Sequence, residues 1–144
     1  MEKQIQALIK KVKQARGYLY PEWEFAARLD PQFFEAYDGL YRQALAREGG
    51  LAIKYRELVV LGILAFRGVS RDALANHIRR AYRYGATREE LLGALQATIV
   101  PGGAVTFLNG LRALAEAERG KGPDTAAGRG RRHERVRSPR ARLK

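Results

Sequence analysis

Ile5, Leu8, Ile9 and Val12 are spaced three, one and three residues apart, which lines a single face of a helix. Lys10, Lys11 and Lys13 lie off that face, and Gly17 is a natural stop. Pro21 opens a short segment carrying Trp23, Phe25, Ala26 and Leu29. Asp30-Pro31 is a helix start: the carboxylate accepts from free N–H groups, and proline suits the first helical position. Phe33, Phe34, Tyr37, Leu40, Tyr41 and Leu45 then form a broad helical stripe ending at Gly49-Gly50. The next element runs from about Ala52 to Phe66. It is apolar all round from Leu58 onward, the pattern of a central buried helix closed by Gly68.

Ser70 caps a following helix with Leu74, His77, Ile78 and Ala81 on one face, and Gly85 ends it. Thr87 followed three residues later by Glu90 is a capping box, opening a helix with Leu91, Leu92, Leu95 and Ile99. Pro101-Gly102-Gly103 breaks the chain before a last helix carrying Val105, Phe107, Leu108, Leu111 and Leu114. No strand pair with a hairpin turn and no alternation of strand and helix is visible. The pattern predicts an all-α fold of about six or seven helices in one domain, residues 1–119.

From Gly120 the composition changes. Residues 120–144 carry nine of the chain's 27 basic residues and two of its 15 acidic ones, with glycines and prolines between the arginines. Such a segment buries too little apolar surface to offset its ordering entropy, so residues 120–144 read as a flexible basic tail. Its stretch 129–144 could neutralise nucleic-acid phosphates, but it holds no aromatic residue on which a base would stack. The alternative is a solubilising terminus.

The chain has no cysteine, which removes disulfides, thiolate nucleophiles, thiol redox chemistry and Cys-ligated metal sites. No apolar run approaches the roughly 20 residues of a membrane span, and no signal-peptide apolar region is seen at the start. The expectation is a soluble cytoplasmic protein.

Three residues draw attention as chemistry. His77 sits on or beside the apolar face formed by Ala73, Leu74, Ile78 and Ala81, an environment that suits general acid–base work. It equally suits a core histidine bonded to a carbonyl. Glu57 stands one residue before the most apolar stretch, where it could face His77 or Arg56 across the core, or simply favour the helix dipole. Arg80 lies between Arg79 and Arg83 on the helix of His77. This cluster could bind a carboxylate substrate or form a solvated face. Trp23, Phe25, Phe33 and Phe34 read as core or subunit-contact residues. Gly102-Gly103 lacks the context of a phosphate loop, and no metal-ligand spacing appears. No metal and no cofactor are expected.

The order Arg56-Glu57-Leu58, His77-Ile78-Arg79-Arg80-Ala81, Gly85-Ala86-Thr87 and Glu89-Glu90-Leu91 resembles the carboxymuconolactone decarboxylase family, within the alkylhydroperoxidase D-like superfamily. The likeness spans Tyr55 to Leu114. It implies an all-α fold assembling into trimers or hexamers with sites near subunit contacts. The peroxidase branch carries two thiols upstream of its histidine. The matching positions here are Ser70 and Ala73, so peroxidase activity is chemically excluded. The decarboxylase branch needs no thiol and uses a histidine at the position of His77. Its Gly-Val-Pro turn appears here as Gly103-Ala104-Val105, with Pro101 displaced upstream.

The resemblance therefore implies a cofactor-free lyase or isomerase on a small carboxylated lactone or related acid. His77 would be the proton donor, Glu57 its orienting partner and Arg80 the anion-binding group. The competing readings are a non-catalytic oligomeric scaffold or ligand-binding protein, and a nucleic-acid-associated oligomer acting through its tails.

Overall fold

A computed structural model describes residues 2–119, all in helices and their short connections. The basic tail and His133 lie outside the described residues. The helices are α1 (Glu2–Arg16), α2 (Pro21–Leu29), α3 (Pro31–Tyr41), α4 (Ile53–Phe66), α5 (Arg71–Arg83), α6 (Arg88–Ala97) and α7 (Ile99–Arg119), with a π-helical turn over Arg42–Ala46 after α3. No strand occurs among the described residues.

The local signals act as their chemistry predicts. The Asp30 carboxylate accepts from the Phe33 N–H, and Pro31 opens α3. The Ser70 hydroxyl accepts from the Ala73 N–H. Both halves of the Thr87–Glu90 capping box are made, at 3.1 and 2.9 Å. Gly17, Gly68 and Gly85 take positive φ at the ends of α1, α4 and α5. The helical stretch ends earlier than the expected Gly49-Gly50 stop: the α-helical ladder gives way to the π turn at Arg42, which ends at Ala46. Gly103 kinks α7 with φ 71° and ψ 180°, so the expected break is a bend inside one long helix.

Two apolar clusters hold the chain. Ile5, Ile9, Val12, Leu19, Ala27 and Phe34 pack α1, α2 and α3 together. Leu61, Ala65, Leu74, Ile78, Leu91, Leu95, Ala113 and Leu114 are among the residues that pack α4 to α7. Each fully buried leucine or isoleucine here contributes about 1.5–3 kcal/mol relative to an exposed one. One expectation is corrected. Helix α4 is not buried all round: Leu61 and Ala65 face the second cluster, while Val59, Ile63 and Phe66 are 54%, 54% and 57% exposed. An apolar helix is enclosed on every side only if neighbours surround it. Here α5, α6 and α7 cover one side.

Candidate active site

Helices α4 and α5 pack side by side, and that contact brings Glu57 and His77 together across twenty residues of chain. Glu57 is fully buried and His77 is 9% exposed. Glu57 Oε2 lies 2.8 Å from His77 Nδ1. Its other oxygen, Oε1, accepts from Arg80 Nε at 2.6 Å. A carboxylate only accepts, so this contact places the imidazole proton on Nδ1 and leaves Nε2 free to accept. The Tyr18 hydroxyl, from the α1–α2 connection, meets Nε2 at 3.2 Å. The result is a continuous chain, Arg80–Glu57–His77–Tyr18, built from α5, α4 and the N-terminal segment.

Arg80 does not take the place expected of it. It is 3% exposed, bonded to Glu57 and donating to the Arg16 carbonyl at 3.3 Å. Its guanidinium lies 5.3 Å from the Tyr41 ring centroid and 5.1 Å from that of Tyr84. Burial disfavours its charge, but Tyr41 and Glu57 more than offset this and hold it above the usual arginine range. It is not among the residues walling the cavity described below, so the expectation of a substrate-binding Arg80 is not met by this placement. The reason is geometric: Arg80 follows His77 by three residues, so both reach the same buried carboxylate. Arg79 and Arg83 face solvent, and Arg79 bonds Asn76. Arg56 turns away from Glu57 and donates to the carbonyls of Ala44, Gly49 and Leu51, fastening the connection before α4.

A cavity of about 210 Å³ opens beside His77, where the two apolar clusters meet. Its wall includes Tyr18, Tyr20, Trp23, Tyr37, Tyr41, Leu45, Val60 and Leu64, with Arg16 at one side. Trp23 stacks on Tyr37 with ring centroids 3.8 Å apart. Trp23 therefore serves the cavity wall, while Phe34 is core and Phe25 and Phe33 are exposed. Arg16, 4% exposed, is held by Asp38 at 2.7 Å and lies 3.8 Å from the Tyr41 ring centroid. Arg42, first residue of the π turn, bonds the other oxygen of Asp38. That turn widens the helix where Leu45 joins the wall, a frequent use of π segments.

The sequence reading missed Arg16, Tyr18, Asp38 and Tyr41. No local pattern marks them, since they come from α1, the α1–α2 connection and α3 and acquire their roles only by packing. Burial pushes the Tyr18 phenol far above its ordinary range, helped by the neighbouring Tyr41; burial likewise raises Tyr41. Both hydroxyls therefore stay protonated and able to donate. No group of histidine, cysteine or acidic side chains suited to a metal ion occurs among the described residues. No described helix is long and apolar enough to cross a membrane.

Fold and site together define an all-helical domain with a buried histidine–carboxylate pair beside a small aromatic cavity. A model of the carboxymuconolactone decarboxylase family matches residues 31–116, more than half of the chain, and the chain belongs to that family. The fold is also similar to a crystal structure from Burkholderia xenovorans LB400, of a protein provisionally named a carboxymuconolactone decarboxylase. The two share 23% identity at a TM-score of 0.70, over 80% of this chain and 92% of that one. No curated protein matches the sequence significantly. The absence of cysteine leaves this member without thiol peroxidase chemistry. Arg16, Tyr18, Leu19, Tyr20 and Trp23 all precede the matched region, so three of the five Tyr and Trp side chains in this cavity's wall come from outside it.

Proposed function

We propose that this protein is a cofactor-free lyase or isomerase acting on a small carboxylated lactone or a related enolisable acid. The observation that carries the reading is the 2.8 Å contact of Glu57 with His77 at the edge of a cavity. A volume of 210 Å³ falls below the roughly 300–1,000 Å³ of sites for drug-sized ligands, which restricts the substrate to a small molecule.

In decarboxylation of such an acid, the bond to the carboxylate breaks and carbon dioxide leaves. The electron pair left behind spreads onto the lactone carbonyl, and a proton is then delivered to carbon. His77 Nε2, unprotonated in the resting pair, takes a proton from solvent or from the substrate's acid group and passes it to carbon, directly or through the Tyr18 hydroxyl, while Glu57 holds Nδ1. Arg80 acts on Glu57, as a positioning residue, and Glu57 in turn orients the imidazole of His77.

His77→Ala is expected to lower turnover of a carboxylated lactone, followed as carbon dioxide release, by at least about tenfold. The fold should survive, because Glu57 keeps Arg80 as a partner. Unchanged turnover by the variant would remove His77 from the mechanism. No release by the wild-type protein across a panel of carboxylated lactones would overturn the lyase reading.

The same reading takes the protein as a cytoplasmic homo-oligomer. Val59, Ile63 and Phe66 border an apolar groove of about 510 Å³ that reaches Ala94 and Pro101. Val100 and Val105 are 90% and 80% exposed. The stretches 58–66 and 91–111 hold no charged residue, in a chain that is 29% charged. An uncharged apolar surface of this extent suits a second copy of the chain better than water.

A further inference from the structure

The wall of the cavity beside His77 holds one arginine and no lysine, and that arginine is Arg16, from the last turn of α1. The phenols nearest His77 are already engaged. The Tyr18 proton goes to His77 Nε2, and the Tyr41 hydroxyl is bonded to Tyr18. Arg16 is 4% exposed. Its Nε and Nη2 donate to Asp38 Oδ1 at 3.3 and 2.7 Å, and its guanidinium lies over the Tyr41 ring. A guanidinium carries five N–H donors, and these two bonds use two of them. Nη1 bonds no described residue and is not closed off from solvent space. The end of the fork, Nη1 with the second hydrogen of Nη2, is therefore unspent. Asp38 is also shared with Arg42, so it does not cancel the charge of Arg16 in full.

We infer that Arg16 is the carboxylate seat of this cavity, gripping a small flat acid end-on with two parallel N–H bonds while Trp23 and Tyr37 line its body. The paired donors of an arginine match the two oxygens of a carboxylate, and aromatic surroundings of low dielectric strengthen such charged bonds. Asp38 and Tyr41 fix the guanidinium beforehand, so little ordering cost falls on binding. The seat is also fixed relative to the reactive pair. The Arg16 carbonyl accepts from Arg80, which bonds Glu57, which holds His77. An acid seated on Arg16 shares the cavity with His77. This deepens the lyase or isomerase reading and rests on it for the reaction, though not for binding: the anion-binding group is Arg16, from α1, in place of Arg80. The carboxylate it holds is one that persists through the reaction, since pairing with the departing one would stabilise the ground state most.

Trp23 is the chain's single tryptophan and lines the cavity, so its fluorescence reports occupancy. The probes are benzoate and its neutral counterpart benzamide. The wild-type protein should bind benzoate more tightly by about tenfold to a hundredfold, the range for hydrogen bonds to a charged group. Arg16→Gln should remove most of that preference. So should Arg16→Gln combined with Asp38→Asn, which takes away the carboxylate that would repel benzoate once Arg16 is gone. The ratio of the two affinities is the measure, because a purely structural Arg16 would weaken both probes alike.

A wild-type protein that binds benzoate no better than benzamide would overturn the proposal. So would a wild-type ratio in the double variant, or equal losses of both probes on changing Arg16. A protein that releases no carbon dioxide from lactones yet shows the Arg16-dependent preference keeps the seat and loses only the lyase reading. One that decarboxylates without that preference keeps the reading and loses the seat.

Discussion

Arg80 and Glu57 meet at 2.6 Å with both side chains almost wholly buried, and the second oxygen of the same carboxylate holds His77. The contact joins two helices and orients the imidazole at once. Removing one partner of such a pair leaves an uncompensated buried charge, which typically destabilises by about 3–5 kcal/mol. Arg80→Ala is therefore expected to lower stability by that order in urea unfolding. Glu57→Gln combined with Arg80→Ala should be less destabilised than the two single changes summed. Strict additivity would show that the two side chains do not act as a pair.

Stability should fall on the alkaline side. Tyr18 is raised by burial and then by Tyr41, Tyr41 is raised by burial, and Tyr82 is pushed up to about 12 by burial and by its bond to Glu118. An unfolded tyrosine ionises near pH 10, so above about pH 10 the unfolded chain loses protons that the folded one keeps. The contribution is fully present below that pH and is lost as pH rises further. Melting temperature should be level up to about pH 9 and then decline, less steeply in Tyr18→Phe. Identical slopes would contradict this placement of Tyr18.

Helices α6 and α7 touch through Gly110. A methyl group built there would lie 2.3 Å from Leu95 Cδ2, and Leu95 is fully buried with little room to move. Gly110→Ala gains helix propensity but overfills the core, and overpacking of this kind costs about 1–3 kcal/mol. A net loss of stability is expected on thermal melting. A gain would mean that Leu95 has room to give way.

The proposed self-association is testable through the exposed face of α4. The wild-type chain should sediment as more than a monomer. Ile63→Asp together with Phe66→Glu should shift it toward the monomer, because two charges would be buried unpaired at the contact. A wild-type monomer, or an oligomer untouched by both changes, would remove this face from the assembly.

The helices themselves were legible because their determinants are local. A capping threonine with glutamate three residues on, a proline after an aspartate, and apolar residues at helical spacing act within one or two turns of chain. The family resemblance rested on the same residues, and the family match agrees with it. His77 and Glu57 were visible as polar groups beside apolar ones, although their meeting was not.

Sequence alone determined the all-helical class, the loss of thiol chemistry through the absence of cysteine, and the starts and stops of the helices. Only the tertiary structure decided that Glu57 turns to His77 and Arg80 rather than to Arg56. It also decided that Arg80 bonds Glu57 and lies outside the cavity wall, and that Tyr18 and Tyr41 wall a cavity. Those outcomes depend on how α4 crosses α5 and how the N-terminal helices close over both. Pairing among buried charges and hydroxyls is settled by distances between elements far apart in the chain, and no periodicity along the chain encodes them.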